Sequence, residues 1–259
     1  MKLLTDSHAH LDSYAFDQDR DQVIERIKEN MDFVVNIAYD LKSSLTSMDY
    51  AQKYDFIYAT IGVHPIDIAE YNDEAEEKLL QWGKEKKVLA VGEIGLDYHW
   101  MTTPKEVQMA AFRKQMEVAK KLGKPVVIHT RDAMEDTVNI LEEFPNMTGI
   151  LHCYPGSVEI AQRMKKNYYF GIGGVLTFKN SKKLVEVVRE IEMERLILET
   201  DCPYMTPEPF RGKRNEPIYT EYVAKKIAEI KGISYEEVLS ITNENVRKAY
   251  KMENLWKRW

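Results

Sequence analysis

Short apolar segments alternate with longer amphipathic segments along most of the chain. The short segments are rich in Val, Ile, Leu and aromatic residues, a composition typical of buried parallel strands. The longer segments place apolar residues at helical spacing, as Ala111, Met116 and Ala119 do within residues 105–122. The pattern predicts eight strands, at residues 2–5, 33–37, 57–62, 88–92, 126–129, 149–152, 168–171 and 196–199.

Helical segments lie between these strands, and two more follow the last strand. Their ends carry recognisable signals. Ser234 and Glu237 form a capping-box pattern, and Gly123 followed by Pro125 ends a helix before a strand. The predicted helices span residues 18–30, 43–54, 73–86, 105–122, 133–143, 158–166, 182–190, 218–231 and 234–250.

Strand and helix alternate eight times in a chain of 259 residues, a length typical of a closed α/β barrel. We therefore expect an α/β fold, a (β/α)8 TIM barrel. It is expected to form a single domain over residues 1–259 and to carry an extra C-terminal helix. An open doubly wound sheet is the alternative fold.

The charge of the whole chain is acidic, with 36 Lys and Arg against 42 Asp and Glu and a formal net charge of −6. This balance disfavours nucleic-acid binding through overall positive charge but leaves room for a local basic patch. Apolar residues make up 44% of the chain, which is enough to build a core. The composition therefore disfavours disorder as the main state of the chain.

The sequence carries no recognisable targeting or membrane segment. Polar residues at Thr5 and Asp6 interrupt the apolar core that a signal peptide needs, and no apolar run reaches the roughly 18 residues of a membrane span. The two cysteines, Cys153 and Cys202, make no disulfide framework. We expect a cytoplasmic protein that does not contact a membrane, and a monomer, although no sequence signal reports directly on oligomeric state.

Metal-capable side chains cluster at the ends of the predicted strands. Five of the six histidines lie there, and so do Glu93 and Asp201; the exception is His99, in a loop. The carboxyl ends of all strands in a barrel form one ring at the catalytic face, whereas an open sheet would spread them along an edge. This placement favours the closed barrel and predicts a metal site. The five strand-end histidines are His8, His10, His64, His129 and His152.

The first predicted metal position uses both ends of the chain. His8 and His10 are two residues apart in an extended segment, so their side chains point to the same side and can hold one cation. Asp201 can ligate the same cation and accept a proton from water. We therefore predict that Asp201 is both a ligand and the general base.

The second predicted metal position lies among three further residues. His129 and His152 follow neighbouring strands, and Glu93 offers two oxygens that can bridge two cations. The set predicts two divalent ions per chain. Imidazole ligands suit Zn, Mn, Co or Ni, whereas Mg prefers oxygen, so the identity of the ion stays open.

Several neighbouring residues have more than one interpretation. Neither ligand set needs His64, which we interpret as a residue that contacts substrate or supports the ligands; a purely structural role is the alternative. His99 either contacts substrate or has no role. Asp6 either orients a ligand histidine through its second ring nitrogen or only shapes the turn. The two cysteines are interpreted as buried thiols rather than ligands.

The motifs around these residues resemble those of the TatD family of metal-dependent deoxyribonucleases, which belongs to the amidohydrolase-like superfamily of barrels. The resemblance extends from Asp6 to about Tyr250. Each motif is common by itself, but the combination is specific. The motifs are DSHAHLD at residues 6–12, GVHP at 62–65, GEIGLDY at 92–98, VIHTRDA at 127–133, LHCYPGS at 151–157 and ETDCPY at 199–204.

The resemblance implies a divalent-metal-dependent deoxyribonuclease with 3′-to-5′ exonuclease activity on single-stranded DNA and, as a further option, on RNA. By motif, the first metal site would comprise His8, His10, Glu93 and Asp201. The second would comprise Glu93, His129 and His152. Glu93 stands where many superfamily members carry a carboxylated lysine. Our mechanistic hypothesis has Asp201 as base and Glu93 between the cations, and either the second cation or His64 assists the leaving oxygen.

A basic segment follows the last predicted strand. Residues 211–217 read RGKRNEP and resemble the Arg-Gly-Lys-x-Asn-Glu-Pro loop of the family. We expect Arg211, Lys213 and Arg214 to bind substrate phosphate together with Arg131, although a solvated loop is the alternative. Asn215 is expected to cap the helix that follows. Candidates for stacking a terminal base are Tyr98, Trp100, Tyr154 and Tyr204.

Two other classes of function compete with the nuclease. An amidohydrolase-type enzyme acting on a small-molecule amide or ester would share the metal site, but a neutral substrate does not need the basic loop. An aminoacyl-tRNA ester hydrolase would also meet phosphates and is harder to separate. A non-catalytic metal-binding or nucleic-acid-binding module is disfavoured, because a structural zinc site is closed by four ligands without a spare carboxylate.

Overall fold

The structure is a computed structural model, and it describes residues 3–254. Eight strands and nine helices alternate along this part of the chain. The strands are β1 (Thr5–Ala9), β2 (Phe33–Asn36), β3 (Ile57–Ile61), β4 (Val88–Asp97), β5 (Val126–Arg131), β6 (Gly149–Leu151), β7 (Tyr168–Ile172) and β8 (Leu196–Leu198).

The helices lie close to the predicted positions. Two of them, α4 and α7, have the predicted bounds, and the others differ by a few residues at their ends. The helices are α1 (Arg20–Asn30), α2 (Leu41–Lys53), α3 (Asp73–Trp82), α4 (Lys105–Leu122), α5 (Met134–Glu142), α6 (Val158–Met164), α7 (Lys182–Glu190), α8 (Thr220–Lys231) and α9 (Tyr235–Ala249).

Two strands, β1 and β4, extend furthest beyond the apolar segments that predicted them. The first strand was expected at residues 2–5, but β1 begins at Thr5 and continues through the His8 motif, and Lys2 lies outside the described residues. Strand β4 continues past Gly92 to Asp97 because this part still pairs with β5, up to Asp97 opposite Arg131. Hydropathy misses such ends, because polar residues also take part in strand pairing.

The chain forms two compact units, and each contains parallel strands that neighbour one another in chain order. Among the described residues, unit 1 comprises 3–36 together with Cys153–Lys248, and unit 2 comprises Ile37–His152 together with 249–254. In unit 1, β1 pairs with β2, β7 pairs with β8, and Ala9 bridges to Cys202. In unit 2, β3 to β6 pair in succession.

Eight parallel strands, each followed by a helix, are the succession of a (β/α)8 TIM barrel, with α9 as the extra C-terminal helix. The predicted fold class is therefore confirmed. That the two units act as a single domain over residues 1–259 stays a prediction. None of the helices within residues 3–254 combines the length and the apolar composition needed to cross a membrane.

Candidate metal centre

The first cluster lies in unit 1 and consists of His8, His10 and Asp201. The Nε2 atoms of the two histidines are 3.3 Å apart. The Oδ1 atom of Asp201 lies 3.6 Å from Nε2 of His8 and 3.3 Å from Nε2 of His10. The two histidines are buried, whereas the Asp201 side chain is 13% exposed. Three donor atoms therefore converge on one point that water can reach from the Asp201 side.

Backbone hydrogen bonds hold these three residues in position. The N–H of Asp201 donates to the carbonyl of His8 at 2.9 Å, and the N–H of His10 donates to the carbonyl of Cys202 at 2.9 Å. These bonds continue the pairing of β1 into the segment after β8. The pairing of these two chain segments thus brings Asp201 next to His8 and His10.

Asp6 supports the cluster through the backbone. Its carboxylate accepts hydrogen bonds from the N–H groups of His8 and Thr200 and from the Thr200 hydroxyl. Burial raises the pKa of Asp6 well above its ordinary value, although these hydrogen bonds oppose the shift. Of the two interpretations of Asp6, the structure shows the one in which it shapes the turn.

The second cluster lies in unit 2 and surrounds Glu93. Its Oε1 atom is 2.8 Å from Nδ1 of His129, 3.0 Å from Nε2 of His152 and 3.7 Å from Nε2 of His64. Burial by itself raises the pKa of Glu93. The charge of His152 and the hydrogen bonds of His129 and His152 outweigh it and hold this pKa well below its ordinary value.

Gly95 lets β4 carry Glu93 close to β5. Its backbone has a φ of +143°, a conformation that side chains rarely adopt. A Cβ atom at this position would lie 2.0 Å from the carbonyl oxygen of His129. The glycine of the motif therefore has a structural reason, which is the close approach of these two strands.

No role was predicted for Asp97, which contacts the predicted ligand His129. Its Oδ2 atom lies 2.9 Å from Nε2 of His129. Burial raises the pKa of Asp97, but the hydrogen bond from His129 and those from two backbone N–H groups outweigh it and lower the pKa to about 2. The sequence did carry a signal for this role of Asp97. Asp97 ends the GEIGLD motif four residues after Glu93, so in an extended strand the two side chains point to the same side.

His129 is held between two carboxylates. Burial lowers the pKa of its imidazole, but the hydrogen bonds to Asp97 and Glu93 outweigh burial and raise it. Asp97 engages Nε2, so Nδ1 is the nitrogen that faces Glu93. A carboxylate that fixes one ring nitrogen while the other faces a cation is a common arrangement around metal-binding histidines.

The hydrogen bonds of His64 set its tautomer. Its Nδ1 atom accepts the backbone N–H of Ile66 at 3.1 Å. Burial and the neighbouring His129 lower the pKa of His64 to about 3, so the ring is neutral at neutral pH. The single ring proton of His64 is therefore on Nε2, on the side of Glu93. That atom can donate a hydrogen bond, but it has no lone pair for a cation.

The donor chemistry of both clusters fits divalent cations. Each cluster brings imidazole nitrogen and carboxylate oxygen together within a few ångströms, as Zn, Mn, Co and Ni sites do. The sequence-predicted ligands His8, His10 and Asp201 come together in unit 1, and Glu93, His129 and His152 come together in unit 2. The bridging role of Glu93 stays a prediction.

The basic loop divides into two kinds of residue. The guanidinium of Arg214 forms a bidentate pair with Asp19, at 2.6 and 2.7 Å, and also contacts Glu216 at 2.9 Å. Its charge is neutralised within unit 1, so we leave Arg214 out of the proposed phosphate contact. Arg211 and Lys213 are exposed, and within residues 3–254 neither forms an ion pair. Each lies over an aromatic ring, Arg211 at 4.2 Å from the Phe178 centroid.

The remaining candidates are distributed over both units. Asn215 does not cap α8. Its side-chain N–H groups donate to the carbonyls of Thr200 and Tyr204, and this fixes the segment that carries Asp201. Arg131 is exposed at the end of β5, 5.8 Å from the ring centroid of Trp100.

The candidates for stacking a base differ in their exposure. Tyr154 is 2% exposed and cannot stack a base, whereas Trp100 and Tyr204 are more than half exposed. The hydroxyl of Tyr98 donates to Asp136 at 2.8 Å.

Cys202 is buried as expected, but Cys153 is only partly buried.

Comparison with protein families and curated proteins gives a consistent picture. The family model described as TatD related DNase matches residues 5–251. YabD of Bacillus subtilis (strain 168), an uncharacterized metal-dependent hydrolase, is 46% identical over 254 residues, which cover 96% of this chain and 100% of the relative. YcfH of Escherichia coli K12, described in the same words, is 33% identical over 258 residues and 96% of each chain.

Solved structures share the fold. YJJV, a TatD homologue from Escherichia coli K12, superposes with a TM-score of 0.90 at 27% identity, over 96% of this chain and 98% of that one. A hydrolase of the TatD family from Entamoeba histolytica superposes with a TM-score of 0.86 at 24% identity, with the same coverage. The second likeness, at its low identity, concerns the fold alone.

Proposed function

Because the chain belongs to the family of TatD-related DNases and is thus a metal-dependent hydrolase, we propose that it hydrolyses phosphodiester bonds of nucleic acid. The proposed activity is that of a 3′-to-5′ exonuclease on single-stranded DNA, with RNA as a further substrate. The observation that carries the proposal is the cluster of His8, His10 and Asp201, which pairs cation ligands with a carboxylate open to water.

The proposed cations number two, one at each cluster, as the sequence predicts. His8, His10 and Asp201 would hold one. Glu93, His129 and His152 would hold the other. A divalent cation, when bound, supplies Lewis acidity toward a phosphoryl oxygen and makes nearby water more acidic. The donor set alone does not single out one ion, so Zn, Mn, Co, Ni and Mg are all candidates.

Asp201 is the proposed general base. Its carboxylate is the partly exposed member of the first cluster, so an attacking water can reach it while His8 and His10 stay buried. The water oxygen bonds to phosphorus and its proton passes to Asp201, while the bond between phosphorus and the leaving oxygen breaks. Asp201 then returns the proton to the solvent, and the leaving oxygen takes up a proton from water.

His64 is proposed to donate a hydrogen bond in this reaction. Its proton lies on Nε2 because Nδ1 is occupied by the N–H of Ile66. A neutral imidazole of this tautomer stabilises negative charge that develops on the leaving oxygen or on a phosphoryl oxygen. It does not act as a proton source, because loss of the only ring proton would leave an imidazolate anion.

Substrate phosphate is proposed to bind Arg211 and Lys213, whose charges face solvent on the loop after β8, and Arg131 at the end of β5. These side chains supply positive charge in each unit of a chain whose net charge is −6. Hydrolysis of an aminoacyl-tRNA ester is the second candidate, because that substrate would use the same cations.

A comparison of substrates separates these reactions. Purified protein, freed of metal by a chelator, is reloaded in turn with each of the five ions and offered bis(p-nitrophenyl) phosphate, p-nitrophenyl acetate and an aminoacyl-tRNA. The proposal predicts metal-dependent release of p-nitrophenol from the phosphodiester. Cleavage of the carboxylic or aminoacyl ester without cleavage of the phosphodiester would favour the second candidate or a small-molecule hydrolase instead.

A further inference from the structure

Two aromatic side chains of unit 1 are far more exposed than aromatic rings usually are. Tyr14 is 84% exposed and Tyr204 is 57% exposed. A ring of this size gains stability from burial, and an exposed apolar surface near a reactive centre is often a binding surface. The positions of both rings relative to the first metal cluster suggest which ligand they bind.

Tyr204 is tied to the ligand Asp201. Its backbone N–H donates to the carbonyl of Asp201 at 2.9 Å, and its own carbonyl accepts the side-chain N–H of Asn215 at 2.7 Å. The backbone of Tyr204 is thus fixed on both sides, three residues beyond the proposed base, while its ring extends into solvent.

Tyr14 is tied in a similar way to the ligand His10. The N–H of Ser13 donates to the carbonyl of His10 at 3.1 Å, and the N–H of Asp17 donates to the carbonyl of Tyr14 at 3.1 Å. Phe16, two residues further on, is fully buried and anchors this 3-10 turn. The exposed ring therefore sits on a rigid turn that begins at a metal ligand.

The two tyrosines lie on neighbouring segments of unit 1. The N–H of His10 donates to the carbonyl of Cys202, and Ala9 pairs with Cys202, so the segments that lead to Tyr14 and Tyr204 are adjacent. Partial burial raises the pKa of the Tyr204 hydroxyl, and the negative charges of Asp201 and Asp12 raise it further. The exposed faces of both rings are uncharged, and such a face accepts another aromatic ring by stacking.

We propose that Tyr14 and Tyr204 form a stacking platform for an unpaired nucleobase next to the phosphodiester that is cleaved. The substrate is then a nucleic acid whose terminal base is unpaired. Its base stacks on the tyrosines, and its phosphates bind the basic side chains proposed above. Stacking on tyrosine is tolerant of sequence because every base presents a π face. The inference rests on the proposed function and adds to it the part of the substrate that is recognised.

The test uses substrates that differ only in the base. An oligodeoxynucleotide with ordinary 3′-terminal residues is compared with two others, in which the last or the penultimate residue is abasic. The variants are Tyr14→Leu and Tyr204→Leu, with Tyr14→Phe and Tyr204→Phe as matched controls that keep the ring. Tyr169→Leu, at the start of β7, controls for loss of a tyrosine elsewhere.

For the wild type, we expect one of the abasic substrates to lower kcat/KM about tenfold. Each Leu variant should raise KM for the ordinary substrate about tenfold with kcat within twofold, and should no longer distinguish it from that abasic substrate. The Phe variants and Tyr169→Leu should behave as the wild type. An oligoribonucleotide of the same sequence should show the same losses, because the base is common to both.

Leu variants with an unchanged KM, native circular dichroism and intact discrimination would overturn the platform while leaving the nuclease proposal in place. A wild-type protein that cleaves the ordinary and both abasic substrates equally well would do the same. If the metal-loaded wild type cleaves no phosphodiester at all, the proposed function itself fails, and the platform fails with it.

Discussion

His64 illustrates how a single hydrogen bond decides the role of a residue. The N–H of Ile66 occupies Nδ1, and the proton on Nε2 then prevents that atom from ligating a cation. Without this hydrogen bond, His64 would be taken for a metal ligand, because it is a histidine and its Nε2 atom lies 3.7 Å from Oε1 of Glu93. We therefore separate His64 from the histidines that are proposed to bind metal.

This distinction predicts different outcomes for two histidine variants. His64→Ala should lower kcat by at least about tenfold, because one hydrogen bond to the reacting group is lost, and should keep the metal content of the wild type. His129→Ala should lose one equivalent of metal. Metal analysis of the purified variants, alongside initial rates, checks both expectations. Loss of a metal equivalent in His64→Ala would contradict the assigned tautomer.

The residues that form the two clusters could be predicted from the sequence, whereas their supporting contacts could not. The residues His8, His10 and Asp201 stand at strand ends, which hydropathy locates within a few residues. The contact of Asp97 with Nε2 of His129 depends on β4 continuing to Asp97 and pairing with β5. The tautomer of His64 depends on the local path of the backbone at Ile66. Neither can be derived from residue type and spacing.

At the scale of elements, the loop after β8 combines an anchor with an exposed basic surface. Arg214 pairs with Asp19, which precedes α1, and Arg26 of α1 pairs with Glu216 at 2.7 Å. Arg211 and Lys213 lie in the same loop but remain exposed. The sequence motif shows three cations in four residues and cannot tell which of them meet a carboxylate far along the chain.

Arg211→Ala should weaken binding of single-stranded DNA and reduce the salt dependence of that binding by about one unit of slope, because one phosphate contact is lost. The measurement is a binding titration at several salt concentrations, in an Asp201→Asn background that prevents cleavage. Lys166→Ala, an exposed cation that follows α6, is the control. An unchanged affinity and slope would show that Arg211 does not bind phosphate.

Arg214→Ala should instead affect stability, lowering the free energy of unfolding by about 1 kcal/mol near neutral pH. The hydrogen bond from Arg214 lowers the pKa of Asp19 below 3.8 in the folded protein. A lowered carboxyl pKa stabilises the fold above the unfolded value and loses this effect as pH falls through the folded value.

The difference in stability between wild type and Arg214→Ala should therefore be constant above about pH 5 and shrink progressively as the pH falls further. Urea unfolding at steps between pH 7 and pH 3 checks this, with Arg211→Ala as the control that leaves stability unchanged. A difference that persists undiminished at the lowest pH would mean that the pair with Asp19 is not its source.

At the scale of the whole molecule, the fold could be predicted mainly from the alternation of strands and helices. Eight short apolar segments, each followed by an amphipathic one, predict the (β/α)8 barrel that the structure contains. The barrel in turn explains why the metal-capable residues stand at strand ends. The division of the chain into two compact units has no counterpart in the sequence pattern, because it depends on contacts between distant segments.

The net charge of −6 would by itself argue against a nucleic-acid substrate. The structure leaves cations exposed on the loop after β8 and at the end of β5, so the charge of these side chains is opposite in sign to the net charge of the molecule. Recognition of phosphate depends on the local charge within a screening length of about 10 Å.

The most direct test of the central claim is cleavage of 3′-labelled single-stranded DNA, with a 5′-labelled copy alongside. Metal-loaded wild type, chelator-treated wild type and metal-loaded Asp201→Asn are compared, with Asp49→Asn on α2 as a remote control. We predict stepwise metal-dependent loss of 3′ nucleotides by wild type and Asp49→Asn, and a rate at least about 100-fold lower for Asp201→Asn with a native circular-dichroism spectrum. Full activity of Asp201→Asn, or no cleavage by a wild type shown to hold its cations, would contradict the account.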